Sequence, residues 1–85
     1  MKTDDEIRVW AADRGLEFVI PNGYPEAFVG ATTDGEEARA VYDQEKIIAI
    51  FMKRDGMNRE DALDFFSFNI EGSHFKGGPL YIDTP

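Results

Sequence analysis

Hydrophobic and polar positions along this chain follow two periods, and the helical one governs most of the second half. From Asp43 to Gly72 the apolar residues form two runs separated by Asp55-Gly56-Met57. In the first run Ile47, Ile50 and Phe51 share a face, with Ile48 and Met52 on the next, so the buried stripe is wide. Asp43 is a side-chain acceptor for the first free amides, and Lys53 and Arg54 place cations at the negative end of the helix dipole. Gly56 can adopt the left-handed backbone that stops such a helix, and Met57 then falls where a Schellman closure puts its apolar contact, against Met52.

Asn58 opens the second run as N-cap, with Glu60 and Asp61 in the positive first turn. Leu63, Phe66 and Ile70 recur at spacings of three and four, Ala62, Phe65 and Asn69 form a row beside them, and Gly72 ends the run. Phe65, Phe66 and Phe68 together span about 300° of a helix at about 100° per residue, so one core face cannot take all three rings. The spacing assigns Phe66 to the core and Phe65 to its flank. Phe68 points away, and is either capped by Pro79-Leu80-Tyr81 or left as the apolar anchor of a partner interface.

The first half reads differently. Thr3-Asp4-Asp5-Glu6 is a capping box, and a helix follows to about Arg14 with Ile7, Trp10, Ala11 and Arg14 on one face and Gly15 as its stop. Leu16 can fold back on that face, and Trp10 is expected in the core. Leu16-Glu17-Phe18-Val19-Ile20 is rich in strand formers and is broken by Pro21-Asn22-Gly23. Residues 27–32 and 37–42 flank Asp34-Gly35, which suits a two-residue type I′ turn and would pair Phe28 with Val41 and Gly30 with Arg39. Ser73 to Gly78 reads as an irregular loop, and Pro79-Leu80-Tyr81-Ile82 as a short edge strand. The expected fold is one α+β domain over residues 1–85. An N-terminal helix and a small antiparallel sheet, built from the hairpin and the C-terminal edge strand, pack against an αα-hairpin.

Charge changes what surface such a domain offers. The formal net charge is -8 on 85 residues, which opposes direct binding to nucleic-acid phosphates and suits solubility, a basic protein partner or nucleic-acid mimicry. There is no cysteine, hence no disulfide framework and no thiolate metal site. Met1-Lys2-Thr3-Asp4-Asp5-Glu6 is acidic where a signal peptide needs a basic region, and no apolar run approaches membrane-spanning length, so a cytoplasmic protein without membrane contact is expected.

Candidate chemistry is sparse. His74 is the sole histidine, and its neighbours Ser73, Phe75 and Lys76 define no site. Asp61 and Asp64, and Glu60 and Asp64, share a helix face at spacings that could support acid-base work or hold a divalent cation, but the simpler reading is a solvated face. Lys76-Gly77-Gly78-Pro79 lacks the layout of a phosphate-binding loop. A DNA-reading helix needs basic and amide side chains, whereas this one offers Glu60, Asp61, Asp64 and Glu71. No catalytic residue, cofactor or metal ligand is assigned.

The stretch Gly56-Met57-Asn58-Arg59-Glu60-Asp61-Ala62-Leu63-Asp64-Phe65-Phe66-Ser67-Phe68-Asn69-Ile70-Glu71-Gly72, with Arg39-Ala40-Val41-Tyr42-Asp43 before it and Pro79 after it, resembles a loose group of short bacterial, prophage and phage proteins. Their shared pattern is a "DGM" turn, an acidic helix ending in aromatic-x-aromatic-Asn, then glycine, a loop, proline and a final strand. The chain departs from it at Ser73-His74-Phe75-Lys76-Gly77-Gly78. The resemblance implies a phage or mobile-element setting, and by analogy an inhibitor of the anti-CRISPR type acting in the host cytoplasm. The expected role is non-enzymatic binding of a basic, nucleic-acid-handling host protein through Glu60, Asp61, Asp64, Glu71 and Phe68, by a monomer or homodimer. A structural or regulatory homo-oligomer, and a small metal-dependent enzyme using clustered carboxylates with His74, are the alternatives.

Overall fold

A computed structural model describes residues 1–32, 37–71 and 77–85. Its elements are α1 (Asp4–Asp13), a 3₁₀ turn (Pro25–Ala27), β1 (Phe28–Ala31), β2 (Ala40–Asp43), α2 (Gln44–Arg54), α3 (Arg59–Phe66), a π-helical segment (Ser67–Glu71) and β3 (Leu80–Ile82). The fold is α+β, as the sequence pattern predicts.

Each helix begins on the cap its sequence provides. Thr3 accepts from the Glu6 amide at 3.1 Å, Asp43 from the amides of Glu45 and Lys46, and Asn58 from the Asp61 amide at 2.8 Å. The stops are equally local. Gly15 and Gly56 both take positive φ; beyond Gly15 the Leu16 amide reaches back to the Ala11 carbonyl at 2.9 Å, the closing bond of a Schellman motif, whereas beyond Gly56 the Met57 amide reaches one residue farther back, to the Phe51 carbonyl at 3.5 Å. Met57 is partly buried against the core, while Met52 is exposed.

The sheet order is β1-β2-β3. β1 and β2 are antiparallel, but the register is Phe28 with Tyr42, Gly30 with Val41 and Ala31 with Ala40, with an irregularity between Phe28 and Gly30. The expected pairs, Phe28 with Val41 and Gly30 with Arg39, are therefore displaced. Thr32 closes the ladder, donating its amide to the Arg39 carbonyl at 2.9 Å while its hydroxyl accepts the Arg39 amide at 3.0 Å. The connection thus spans residues 33–38 instead of two residues, and the Asp34-Gly35 turn itself lies outside the described residues. Burial selects this register: it sets Tyr42 and Ala40 in the core, and the bulge turns Val29 outward.

Two further corrections concern strands. Leu16 to Ile20 forms no strand; its Phe18 and Ile20 pack on the core margin and Phe18 stacks on Phe28, so the segment buries its apolar side chains without pairing its backbone in the sheet. β3 lies at the edge as expected, but it is parallel to β2, pairing Val41 with Leu80, Tyr42 with Tyr81 and Asp43 with Ile82. The αα-hairpin accounts for this, because β2 runs straight into α2 and the two-helix excursion returns the chain to the end of the sheet where β2 started. Arg39 fastens the return by donating Nε–H to the Gly78 carbonyl at 2.6 Å.

The core gathers Ile7 from α1, Tyr24 and Ala27, Ala40 and Tyr42 from β2, Ile47, Ile48 and Phe51 from α2, and Ala62 and Phe66 from α3. Tyr42 is its centre: its ring meets those of Tyr24, Phe28 and Tyr81 at centroid distances of 5.3, 5.5 and 6.3 Å. Trp10 sits at the margin instead of within this core. Its ring is half-buried, edge-on to Phe28 at 5.4 Å, with the Arg14 guanidinium 4.4 Å above it.

Candidate functional site: the outer face of the third helix

The two helices are locked at their starts before any outer face is defined. Arg59 forms a two-pronged ion pair with Glu45, at 2.8 and 3.0 Å, joining the first turn of α3 to that of α2. The pair holds the Glu45 carboxyl below its ordinary range and raises the Arg59 guanidinium. Farther along, fully buried Ala62 faces the core, and Phe65 leans edge-on against Phe51 at 5.1 Å. Phe66 is 3 % exposed and meets Tyr81 of β3 edge-on at 5.3 Å. It is the core ring of the three, as its spacing predicts. Leu63, expected in the same core row, is 38 % exposed.

What remains is an outer arc. Counting about 100° per residue from Glu60, the side chains of Glu60, Asp64, Asp61 and Phe65 follow one another across about 140° of the α3 circumference, and Phe68 continues that side about one turn beyond Asp64. All five are exposed, Phe65 at 40 % and Phe68 at 82 %. Phe68 is therefore not capped by Pro79-Leu80-Tyr81, and of the two alternatives for this ring only the uncovered one is compatible with the structure. The sequence pattern places Phe65 on the core flank; it occupies both roles, one face on Phe51 and the rest in solvent. Its membership of the arc is legible in the spacing Asp61-Phe65-Phe68, at four and three residues.

Phe68 lies in the π-helical segment, where the ladder widens after Phe66. The Asn69 side-chain amide donates to the Phe65 carbonyl at 3.2 Å, bonding the backbone where α geometry ends. Glu71 is the last residue of that segment by its backbone. The stop at Gly72 and the loop residues Ser73 to Lys76, including His74, lie outside the described residues.

Helix physics explains part of the arc and not the rest. Glu60 and Asp61 stand in the first turn, where carboxylates favour the positive end of the dipole. Asp64 and Phe68 stand beyond it and gain nothing from that effect. Among the described residues none of Glu60, Asp61 and Asp64 joins an ion pair, so the arc presents uncompensated negative charge beside an uncovered ring. Also among the described residues, no three metal-capable side chains gather, and no helix is long and apolar enough to cross a membrane. Compared with protein-family models, curated proteins and solved structures, the chain matches none.

Proposed function

We propose that this acidic α+β domain is a protein-binding module without enzymatic activity, whose α3 face engages a basic surface on a nucleic-acid-handling host protein and blocks it. The observation that carries this reading is Phe68, 82 % exposed just beyond the end of a helix whose exposed side carries Glu60, Asp61 and Asp64. An aromatic ring among like charges is the composition of an interface anchor with an electrostatic rim: the ring supplies affinity once desolvated, and the carboxylates steer the approach and select a basic partner. Carboxylates standing where the partner receives phosphates are the physical content of nucleic-acid mimicry. The phage and prophage setting, the anti-CRISPR-like action and the host cytoplasm as its place follow from the resemblance in residues 39–43 and 56–72 and at Pro79 and are part of the proposal.

The exposed rings also bear on the homodimer reading. A two-fold contact centred on Phe68 would set Glu60, Asp61 and Asp64 of one copy near those of the other, a like-charge juxtaposition that favours a foreign basic surface over a second copy.

The test compares proteins captured from host lysate by the natural chain and by the quartet Glu60→Lys, Asp61→Lys, Asp64→Lys and Glu71→Lys, both first shown to be folded. The proposal expects nucleic-acid-handling proteins that the quartet loses and whose nucleic-acid binding the natural chain inhibits. An identical set captured by both forms removes the electrostatic reading.

A further inference from the structure

From Glu60 to Phe68 the outer side of the chain carries three exposed carboxylates, Glu60, Asp61 and Asp64, and two exposed rings, Phe65 and Phe68. No cation stands between them in sequence, and Arg59 just before them is committed to Glu45 at 2.8 and 3.0 Å. Eight residues of helix rise about 12 Å. Over that length duplex DNA carries about seven phosphates, and one strand of it about three or four. Three carboxylates therefore match the charge of one strand and fall well short of two. The rings point the same way. A duplex stacks its bases inside and shows a protein its phosphates and groove edges, whereas an unpaired strand turns the flat faces of its bases outward, where they stack on aromatic side chains. A phenyl ring 82 % exposed beside the charges has no counterpart on a duplex and has one on a single strand.

Taking the α3 face as the binding surface proposed above, we infer that the site it occupies on its partner is a channel for single-stranded nucleic acid. Such channels combine a positive groove that follows the backbone with aromatic side chains on which successive bases stack. Glu60, Asp61 and Asp64 stand in for phosphates against the Lys and Arg side chains of the groove. Phe68 stands in for an unpaired base on the stacking platform. Phe65 is braced edge-on by Phe51 at 5.1 Å, which leaves Phe68 as the ring that can enter the platform. The two kinds of contact are complementary in role: the carboxylates select a basic groove, and the ring selects a groove that stacks bases over one that reads a duplex.

The experiment takes a partner captured from host lysate by the natural chain and lost by the charge-reversed quartet, purifies it, and competes the natural chain off it with two probes. One is an oligothymidine of about 16 nucleotides, the upper end of a single-strand site, and the other a duplex of the same length. Binding of Phe68→Leu and Phe68→Trp, each first shown to be folded, is measured beside them. The expected result is displacement by the oligothymidine at a concentration about tenfold or more below that of the duplex. Phe68→Leu, which keeps apolar bulk and loses the stacking face, should bind about tenfold more weakly, and Phe68→Trp at least as tightly as the natural chain. Displacement by the duplex at an equal or lower concentration, or natural binding by Phe68→Leu, overturns the single-strand assignment and leaves the α3 face as a binding surface. A lysate from which the quartet loses nothing overturns the α3 face itself, and the assignment with it.

Discussion

Truncating Phe66 and Phe68 to alanine removes the same ring from sites two residues apart, and the structure demands opposite outcomes. Phe66 is 3 % exposed and wedged against Tyr81, so Phe66→Ala loses both the transfer free energy and the packing around the ring, about 3–5 kcal/mol. A domain of 85 residues has a total stability of about 4–13 kcal/mol at about 0.05–0.15 kcal/mol per residue, so this single change removes a large part of it. Phe68 is 82 % exposed, leaving roughly a fifth of its surface out of water. Since full burial of phenylalanine contributes about 1.5–3 kcal/mol, Phe68→Ala should cost only about 0.3–0.6 kcal/mol, and the better helix propensity of alanine offsets some of that. At about 4–8 °C per kcal/mol for a domain this size, the melting midpoint of Phe68→Ala stays within about 5 °C of the natural chain, whereas Phe66→Ala drops far below it. Urea unfolding followed by Trp10 fluorescence measures both. A loss above about 2 kcal/mol for Phe68→Ala would refute the reasoning, because it would mean that the ring is covered in the native state.

Asp43 is 3 % exposed and caps α2 while accepting the Thr84 hydroxyl from the C-terminal segment. That hydroxyl foremost, against the opposing effect of burial and with help from the Lys46 and Glu45 amides, holds its carboxyl below the ordinary value. A depressed carboxylate contributes stability that is complete above its unfolded pKa of about 3.9 and lost as pH falls through the lower folded value, so acid unfolding should steepen below about pH 4. Asp43→Asn retains a capping side chain and should flatten that slope; an unchanged slope in urea midpoints between about pH 5 and pH 2 would show that Asp43 is not the group responsible. Gly56 holds φ +70, so Gly56→Ala should lower stability by about 1 kcal/mol while Gly56→Asn loses less, and equal midpoints for alanine and glycine would contradict the left-handed stop.

The helices were legible because their signals are local. Thr3, Asp43 and Asn58 each cap through their own side chains, and Gly15 and Gly56 stop helices by their own backbone freedom. The sheet was less legible because its decisions are made at a distance. Asp34-Gly35 is a strong turn signal, yet the register answers to Tyr42, whose ring reaches Tyr24, Phe28 and Tyr81 from three other parts of the chain. Leu16 to Ile20 has strand composition, but composition specifies only a half-buried extended chain, and packing of Phe18 on Phe28 meets that need without a ladder. The parallel sense of β3 depends on where two helices return the chain, which no residue in Leu80–Ile82 encodes.

In the candidate site, the exposure of Glu60, Asp61 and Asp64 and the division between Phe66 and Phe68 could be read from helical angles alone. The position of Leu63 could not, since it rests on how α3 rolls over α2 once Ala62 and the Arg59–Glu45 pair set their contact.

The central claim is that the outer face of α3 is a binding surface anchored by Phe68. Its most direct test is the dissociation constant of one purified partner, captured by the natural chain and lost by the charge-reversed quartet, measured for the natural chain and for Phe68→Ala at a single salt concentration. An anchoring ring at the centre of an interface is worth at least about 2 kcal/mol, so the constant should rise about 30-fold or more while the urea midpoint hardly moves. Equal dissociation constants for the two proteins would contradict the account.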